Sequence, residues 1–97
     1  MSATTASMSG LVTDTNGEPL PGAVIEAIHE PTDTHYDAVT RADGRYHIYG
    51  MRVGGPYKVT VTMTGFKTQI RNNIYLKLGE DLMLDFQLQP DSIEETL

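Results

Sequence analysis

The chain contains no cysteine and no tryptophan among its 97 residues. Without cysteine it has no disulfide, no thiolate metal ligand and no thiol nucleophile. It also has no apolar run that approaches the roughly 20 residues of a membrane-spanning helix. A chain of this length forms one domain with one modest core, so its stability must come from the packing of its secondary structure.

Positive charge is scarce as well. Seven lysines and arginines stand against 13 aspartates and glutamates, and the formal net charge is -6. Contacts that neutralise phosphate supply most of the affinity of nucleic-acid binding proteins, and anionic lipids attract basic surfaces. The composition therefore disfavours nucleic acid and the membrane surface as partners.

Local motifs for catalysis are also missing from the sequence. No serine lies in a G-x-S-x-G turn, and Gly54-Gly55-Pro56 is not followed by the lysine of a phosphate-binding loop. The three histidines lack the tight spacing of H-x-H or H-E-x-x-H, although ligands from separate strands can converge. We therefore predict a domain that is not an enzyme and that has no metal and no cofactor.

One histidine pair remains of interest. His29 and His35 flank the loop of residues 30–34, and we examine whether they meet at its base. The same loop region carries three carboxylates, Glu30, Asp33 and Asp37, which we interpret as solvated side chains.

Apolar residues alternate with polar ones at a period of two, which is typical of strands with one buried face. The clearest run covers residues 57–64, where Tyr57, Val59, Val61 and Met63 share one side. Residues 82–88 repeat this pattern, and two half-buried sheets imply a sandwich. We predict an all-β fold of about seven strands, over residues 7–13, 23–29, 36–41, 45–49, 57–64, 66–76 and 82–89.

Turn residues separate these runs. Asn16-Gly17 and Asp43-Gly44 supply the positive φ angles of tight turns, and the second is predicted to close a hairpin. Gly54-Gly55-Pro56 is predicted to form a bend. We expect residues 1–6 to be a disordered tail, residues 7–89 to form the domain, and residues 90–97 to be an acidic linker.

The aromatic residues divide into two groups. Tyr46, Tyr57 and Phe66 are predicted to fill the core, and Tyr49 and Tyr75 to be half-exposed. An exposed tyrosine offers an apolar ring and a hydroxyl to a sugar or a peptide. The candidate ligand-facing residues are Tyr49, Tyr75, His29 and His35.

Six motifs stand out in the sequence: SGLVTD at 9–14, NGEPLPGA at 16–23, TRADGRY at 40–46, GPYKVTV at 55–61, GF at 65–66 and LDFQL at 84–88. In combination they resemble the carboxypeptidase-regulatory-like family. The resemblance covers about residues 7 to 89 and implies a Greek-key β-sandwich of the transthyretin kind, with seven strands in antiparallel or mixed sheets. Transthyretin-like hydroxyisourate hydrolases have a similar fold, but this chain lacks their C-terminal Tyr-Arg-Gly-Ser sequence.

Within that family, RVGGPY at 52–57 and GFKTQ at 65–69 look most like the N-terminal extension of TonB-dependent outer-membrane transporters of the Oar-like type. The tail is similar to the opening of a TonB box, the short segment that adds as a strand to the energising partner. This candidate partner-binding segment consists of Ile93, Glu94, Glu95, Thr96 and Leu97.

The resemblance implies an accessory interaction domain on the periplasmic side of the bacterial outer membrane, in a transporter for nutrient uptake. Its expected partners are the plug and barrel of the same parent chain and the periplasmic domain of TonB. The alternatives are a module that binds carbohydrate or peptide, and a purely structural spacer.

Overall fold

The computed structural model describes residues 5–91, and the predicted tail of residues 93–97 lies outside this range. The described residues form strands, turns and loops without a helix, so no helix among them is long and apolar enough to cross a membrane. The strands are β1 (Ala6–Thr13), β2 (Val24–His29), β3 (Thr34–Val39), β4 (Arg45–Met51), β5 (Gly54–Thr62), β6 (Gln69–Leu76), β7 (Asp81–Met83) and β8 (Phe86–Gln87).

The strands form two sheets of four, as predicted for a sandwich. The large sheet has the order β3-β2-β5-β6, and all its pairs are antiparallel. In the small sheet β1 is central: β4 pairs with it in antiparallel orientation, while β7 and β8 pair with its other side in parallel orientation. The fold prediction of a mixed all-β sandwich is confirmed.

The core lies between the sheets and follows the period-two pattern. Met8, Val12 and Tyr46 from the small sheet and Val59 and Val61 from the large sheet are completely or almost completely buried. Tyr57 is also buried, as predicted, whereas Phe66 is only partly buried and packs against the edge of the core.

Three details differ from the prediction. Residues 5–91 form eight strands because the last predicted strand is interrupted at Leu84 and Asp85, which separates β7 from β8. Gly54-Gly55-Pro56 begins β5 and is not a free bend. Asp43-Gly44 does form a tight turn, but it connects β3 to β4, which belong to different sheets, so it closes no hairpin between paired strands.

Candidate functional site

The outer face of the small sheet carries exposed aromatic, methionine and aspartate side chains around a buried serine, Ser9. The register places Ser9 opposite His47 of β4 on one side and opposite Met83 of β7 on the other, so one row crosses all three strands. The next row on β1 and β7 contains Ser7 and Asp81. We call this surface the small-sheet face, and it consists of Ser7, Ser9, His47, Tyr49, Asp81 and Met83.

An exposed pair of rings dominates one side of this face. His47 and Tyr49 are two residues apart on β4, so their side chains emerge on the same side of the sheet. Their rings stack almost in parallel, with centroids 5.4 Å apart and planes inclined by 7°. Tyr49 is 71% exposed and Met83 63% exposed, so large apolar groups face solvent at both sides of the face.

The centre of the small-sheet face is polar. The Ser7 hydroxyl donates to one oxygen of Asp81 at 2.9 Å, and the Ser9 hydroxyl donates to the other oxygen at 3.1 Å. In a catalytic triad the carboxylate orients the histidine, and the histidine accepts the proton of the serine. Here the carboxylate accepts from both serines directly, which is an arrangement that holds β1 and β7 together.

A shallow groove of about 290 Å³ lies at the end of this face, where β1 begins. Tyr49 and Gly50 line it on one side, and Gly79 and Glu80 on the other. The remaining lining residues are Thr5, Ala6 and Ser7, so the lining contains a carboxylate and no base. Such a groove suits a neutral or a cationic group.

The structure separates the two histidines that flank the loop of residues 30–34. His29 points into the sandwich and is 7% exposed, with its Nδ1 atom 2.7 Å from the Thr32 hydroxyl. Its ring meets the Tyr57 ring edge-on at a centroid distance of 5.1 Å. His29 therefore belongs to the core below the loop and does not face a ligand, contrary to our expectation.

His35 lies on the opposite, exposed face of the large sheet. Its Nδ1 atom is 3.2 Å from a Glu26 oxygen, and its Nε2 atom is 3.2 Å from an Asp33 oxygen. The hydrogen bond to Glu26, followed by that to Asp33, raises the pKa of His35 above its ordinary value. His29 and His35 therefore do not meet at the base of the loop, because alternate residues of paired strands point to opposite sides of a sheet.

Tyr75 is 60% exposed on β6, at an edge of the large sheet. Tyr49 lies in the small sheet, so the two exposed tyrosines belong to separate surfaces.

The polar loop of Asp14, Asn16 and Glu18 is a turn in which one Asp14 oxygen accepts the backbone N–H groups of Asn16 and Glu18. Among residues 5–91, no group of three histidine or carboxylate side chains is arranged to hold a metal ion.

Sequence reasoning did not select Asp81 and Met83 as functional residues. Met83 alternates with the partly buried Leu82 and Leu84, and this alternation was a signal that it faces outward. Nothing in the sequence shows that Met83 lies in line with Ser9 and His47, because that alignment depends on the pairing of the first strand with the seventh.

Several solved structures share this fold. The Bacillus anthracis TIE protein matches with a TM-score of 0.72 and 22% identity, over 92% of this chain and 17% of that chain. Hydroxyquinol 1,2-dioxygenase from Pseudomonas putida DLL-E4 matches with a TM-score of 0.73 and 10% identity, over 94% of this chain and 58% of that chain. A cohesin–X-dockerin complex from Acetivibrio cellulolyticus matches with a TM-score of 0.67 and 19% identity, over 86% of this chain and 56% of that chain.

These likenesses show the fold alone, because all of them are below 25% identity. The chain spans less than two thirds of the length of each of these solved chains. No curated protein matches the sequence significantly. The model of the carboxypeptidase regulatory-like domain, a regulatory and non-catalytic type of domain, matches residues 7–89. The chain therefore belongs to the carboxypeptidase regulatory-like domain family.

Proposed function

We propose that this domain is a non-catalytic accessory and interaction module of a TonB-dependent outer-membrane transporter for nutrient uptake, and that it acts on the periplasmic side of that membrane. The single observation that carries the interaction role is the small-sheet face. The transporter context is supported by the sequence resemblance of residues 52–57, 65–69 and 93–97.

The small-sheet face has the composition of a protein-binding surface. Aromatic residues and methionine are enriched in the buried centre of interfaces, and aromatic anchors carry much of the binding energy. Tyr49 and Met83 are exposed, and His47 supports the Tyr49 ring by stacking. Methionine adapts its shape to a partner, while the stacked ring pair is held more rigidly.

The anchoring of Asp91 to the domain supports a role beside the plug. Residues 88–91, which follow β8, are held against the sandwich. Their last contact is the Asp91 N–H, which donates to the Gly65 carbonyl at 2.9 Å. A segment that follows Asp91 therefore starts from a fixed point on the domain. A module that binds a partner at its own surface raises the effective concentration of that partner near such a segment.

The first test is an NMR titration of the 97-residue chain with the periplasmic domain of TonB. We expect shifts of the amides around Tyr49, His47 and Met83 in addition to shifts of the amides of residues 93–97. Tyr49→Ala should remove the first set and leave the second, while Tyr75→Ala on the other sheet serves as the matched control.

Two outcomes separate the parts of this proposal. Shifts confined to residues 93–97 would contradict a docking role for the sandwich. Unchanged uptake after deletion of residues 7–89 from the full-length transporter would contradict the accessory role itself.

The groove favours a second candidate, a module that binds carbohydrate or peptide. The exposed Tyr49 ring offers a flat apolar surface, and Glu80 offers a hydrogen-bond acceptor in the same groove. Titration with neutral oligosaccharides and with short basic peptides tests this candidate. A ligand that shifts the Tyr49 and Gly50 amides would support it, and no shift with either class would contradict it.

A further inference from the structure

The first and the last strands of the domain are neighbours and run in the same direction. β1 pairs with β7 from Ser7 opposite Asp81 to Ser9 opposite Met83, and with β8 at Val12 opposite Phe86 and Thr13 opposite Gln87. The chain therefore enters at the start of β1 and leaves beyond the end of β8, at the opposite end of the same sheet. An eight-residue strand spans about 26 Å, so the two ends are far apart.

Hydrogen bonds join these terminal segments along their whole length. The backbone N–H groups of Gly79, Ser7, Leu84 and Leu88 donate across this boundary at 3.0, 2.8, 2.8 and 2.8 Å. Their acceptors are the carbonyls of Thr5, Glu80, Ser9 and Thr13, respectively. The Ser7 and Ser9 hydroxyls add side-chain bonds to Asp81 at the same boundary.

The interruption between β7 and β8 does not open this boundary. At that point the Asp85 side chain accepts the Leu11 N–H at 2.9 Å, in place of a backbone carbonyl. The Tyr46 hydroxyl donates to the Leu84 carbonyl from the core side. Side chains thus complete the connection where the backbone ladder is broken. We call residues 5–13 and 79–88, together with these bonds, the terminal clamp.

The direction of the terminal clamp decides how it responds to tension. Tension applied to the two ends acts parallel to β1 and β8 and perpendicular to the hydrogen bonds between them. The bonds are then loaded together and must break nearly simultaneously. Tension applied at the same end of both strands would instead break them one after another.

We propose that this domain is a load-bearing element, which transmits tension along the direction of β1 and β8 between the chain that precedes Thr5 and the chain that follows Asp91. The backbone hydrogen bonds made by the N–H groups of Asp91 and Lys67, beyond the end of β8, lie outside the terminal clamp. Their loss would leave the clamp intact. This mechanical role goes beyond the proposed interaction role and does not depend on the small-sheet face.

Single-molecule force spectroscopy on the full 97-residue chain tests the proposal. The chain has no cysteine, so handles can be attached at introduced cysteines alone. One variant carries Thr5→Cys and Asp91→Cys at opposite ends of the clamp. The other carries Thr5→Cys and Leu78→Cys at the same end, and Leu78 is an exposed position.

At equal pulling speed, we expect the unfolding force for the Thr5/Asp91 handles to be several times that for the Thr5/Leu78 handles. Equal forces in the two directions, or a lower force along the Thr5/Asp91 axis, would overturn the proposal. Forced unfolding reports the barrier along the pulled direction, so equilibrium stability is measured separately in each variant.

The role of Asp85 provides a sharper test. Asp85→Ala removes the acceptor of the Leu11 N–H and should lower the unfolding force along the Thr5/Asp91 axis, whereas Asp85→Asn keeps an acceptor and should preserve most of it. Asp37→Ala, an exposed aspartate on β3 outside the clamp, is the matched control. An Asp85→Ala domain that unfolds at the wild-type force would show that the clamp does not carry the load.

Discussion

The two sheets of this sandwich are built in different ways. The large sheet is regular at its centre, where β2 forms six successive residue pairs with β3 and six with β5. The small sheet combines antiparallel and parallel pairs, contains a register shift between β1 and β4, and has a divided last strand. Regular ladders hold the centre of the large sheet, although its β5–β6 pair contains two register shifts. The small sheet depends on particular side chains.

This difference indicates where single residues matter most. In the large sheet most backbone groups find partners through strand pairing, and a side chain contributes mainly by packing. In the small sheet Asp85, Tyr46 and Asp81 bond across the boundary of β1 with the last strands. The exposed aromatic and methionine side chains of the domain's proposed interaction surface also lie on the small sheet.

The strongest test of this comparison is Gly10→Ala in β1. A Cβ atom at Gly10 would lie 2.0 Å from the Leu84 carbonyl oxygen and 2.9 Å from a ring carbon of Tyr46. Because the nearest atom belongs to the backbone, relief requires β1 and the last strands to separate. We expect a loss of about 3 kcal/mol or more in the free energy of unfolding, measured by chemical denaturation.

Gly22→Ala is the control for backbone conformation alone. Gly22 has a φ of 88° and an added Cβ would meet no atom within 4 Å, so the cost is that of a left-handed alanine, about 1 to 2 kcal/mol. A cost for Gly10→Ala no larger than this would show that the close approach of β1 to Leu84 is unimportant.

A smaller effect is expected at the junction between the sheets. The Thr40 hydroxyl accepts the Ala23 N–H at 2.9 Å and donates to the Leu20 carbonyl. All three residues are buried, so Thr40→Val leaves a donor and an acceptor without these partners. We expect a loss of about 2 to 3 kcal/mol in thermal or chemical unfolding.

Thr40→Ser keeps the hydroxyl and loses only a methyl group, so it should cost about 1 kcal/mol. If serine and valine destabilise the domain equally, the methyl group rather than the hydroxyl is the important part of Thr40.

The smallest expected effect is the pH response of the large sheet at His35. Glu26 and Asp33 face its two ring nitrogens, and Asp37 lies opposite Glu26 on the same exposed face. A carboxylate only accepts, so both ring nitrogens of His35 can donate to Glu26 and Asp33 only when the imidazole carries two protons. The folded-state pKa is raised, so His35 contributes stability below the unfolded pKa of about 6.5, and this contribution is lost as the pH rises through the folded value.

NMR titration of the histidine ring protons measures this shift directly. The pKa of His35 should be higher in the folded domain than in the unfolded chain. The double variant Glu26→Gln/Asp33→Asn should lower this pKa towards the ordinary value. The stability difference between wild type and His35→Gln should then shrink between pH 5.5 and pH 8. A His35 pKa that the double variant leaves unchanged would contradict the two-carboxylate contact.

Much of the fold was predictable from local pattern. The strand of residues 57–64 appears as β5, although it begins earlier at Gly54, and the buried positions Tyr57, Val59 and Val61 follow the alternation. The alternation does not show pairing partners. Because the partners were unknown, the turn between β3 and β4 was interpreted as a hairpin, whereas the structure assigns these strands to different sheets.

The candidate site was predictable only in part. The exposure of Tyr49 and Tyr75 was expected, but their placement on different sheets was not. His29 and His35 appeared equivalent beside one loop, yet one is buried and the other exposed because they occupy positions of opposite parity on paired strands. Parity across a pair depends on register, which a single strand pattern does not contain.

The sequence by itself determined the all-β class, the alternating buried positions and the turn glycines, because these follow from local backbone and side-chain preferences. Only the tertiary structure decided that β1 lies beside the last strands, with Asp85 completing their bonds and His47, Ser9 and Met83 in one row. Contacts between residues more than 70 positions apart, such as Leu11 with Asp85, depend on the packing of the whole chain and leave no local trace.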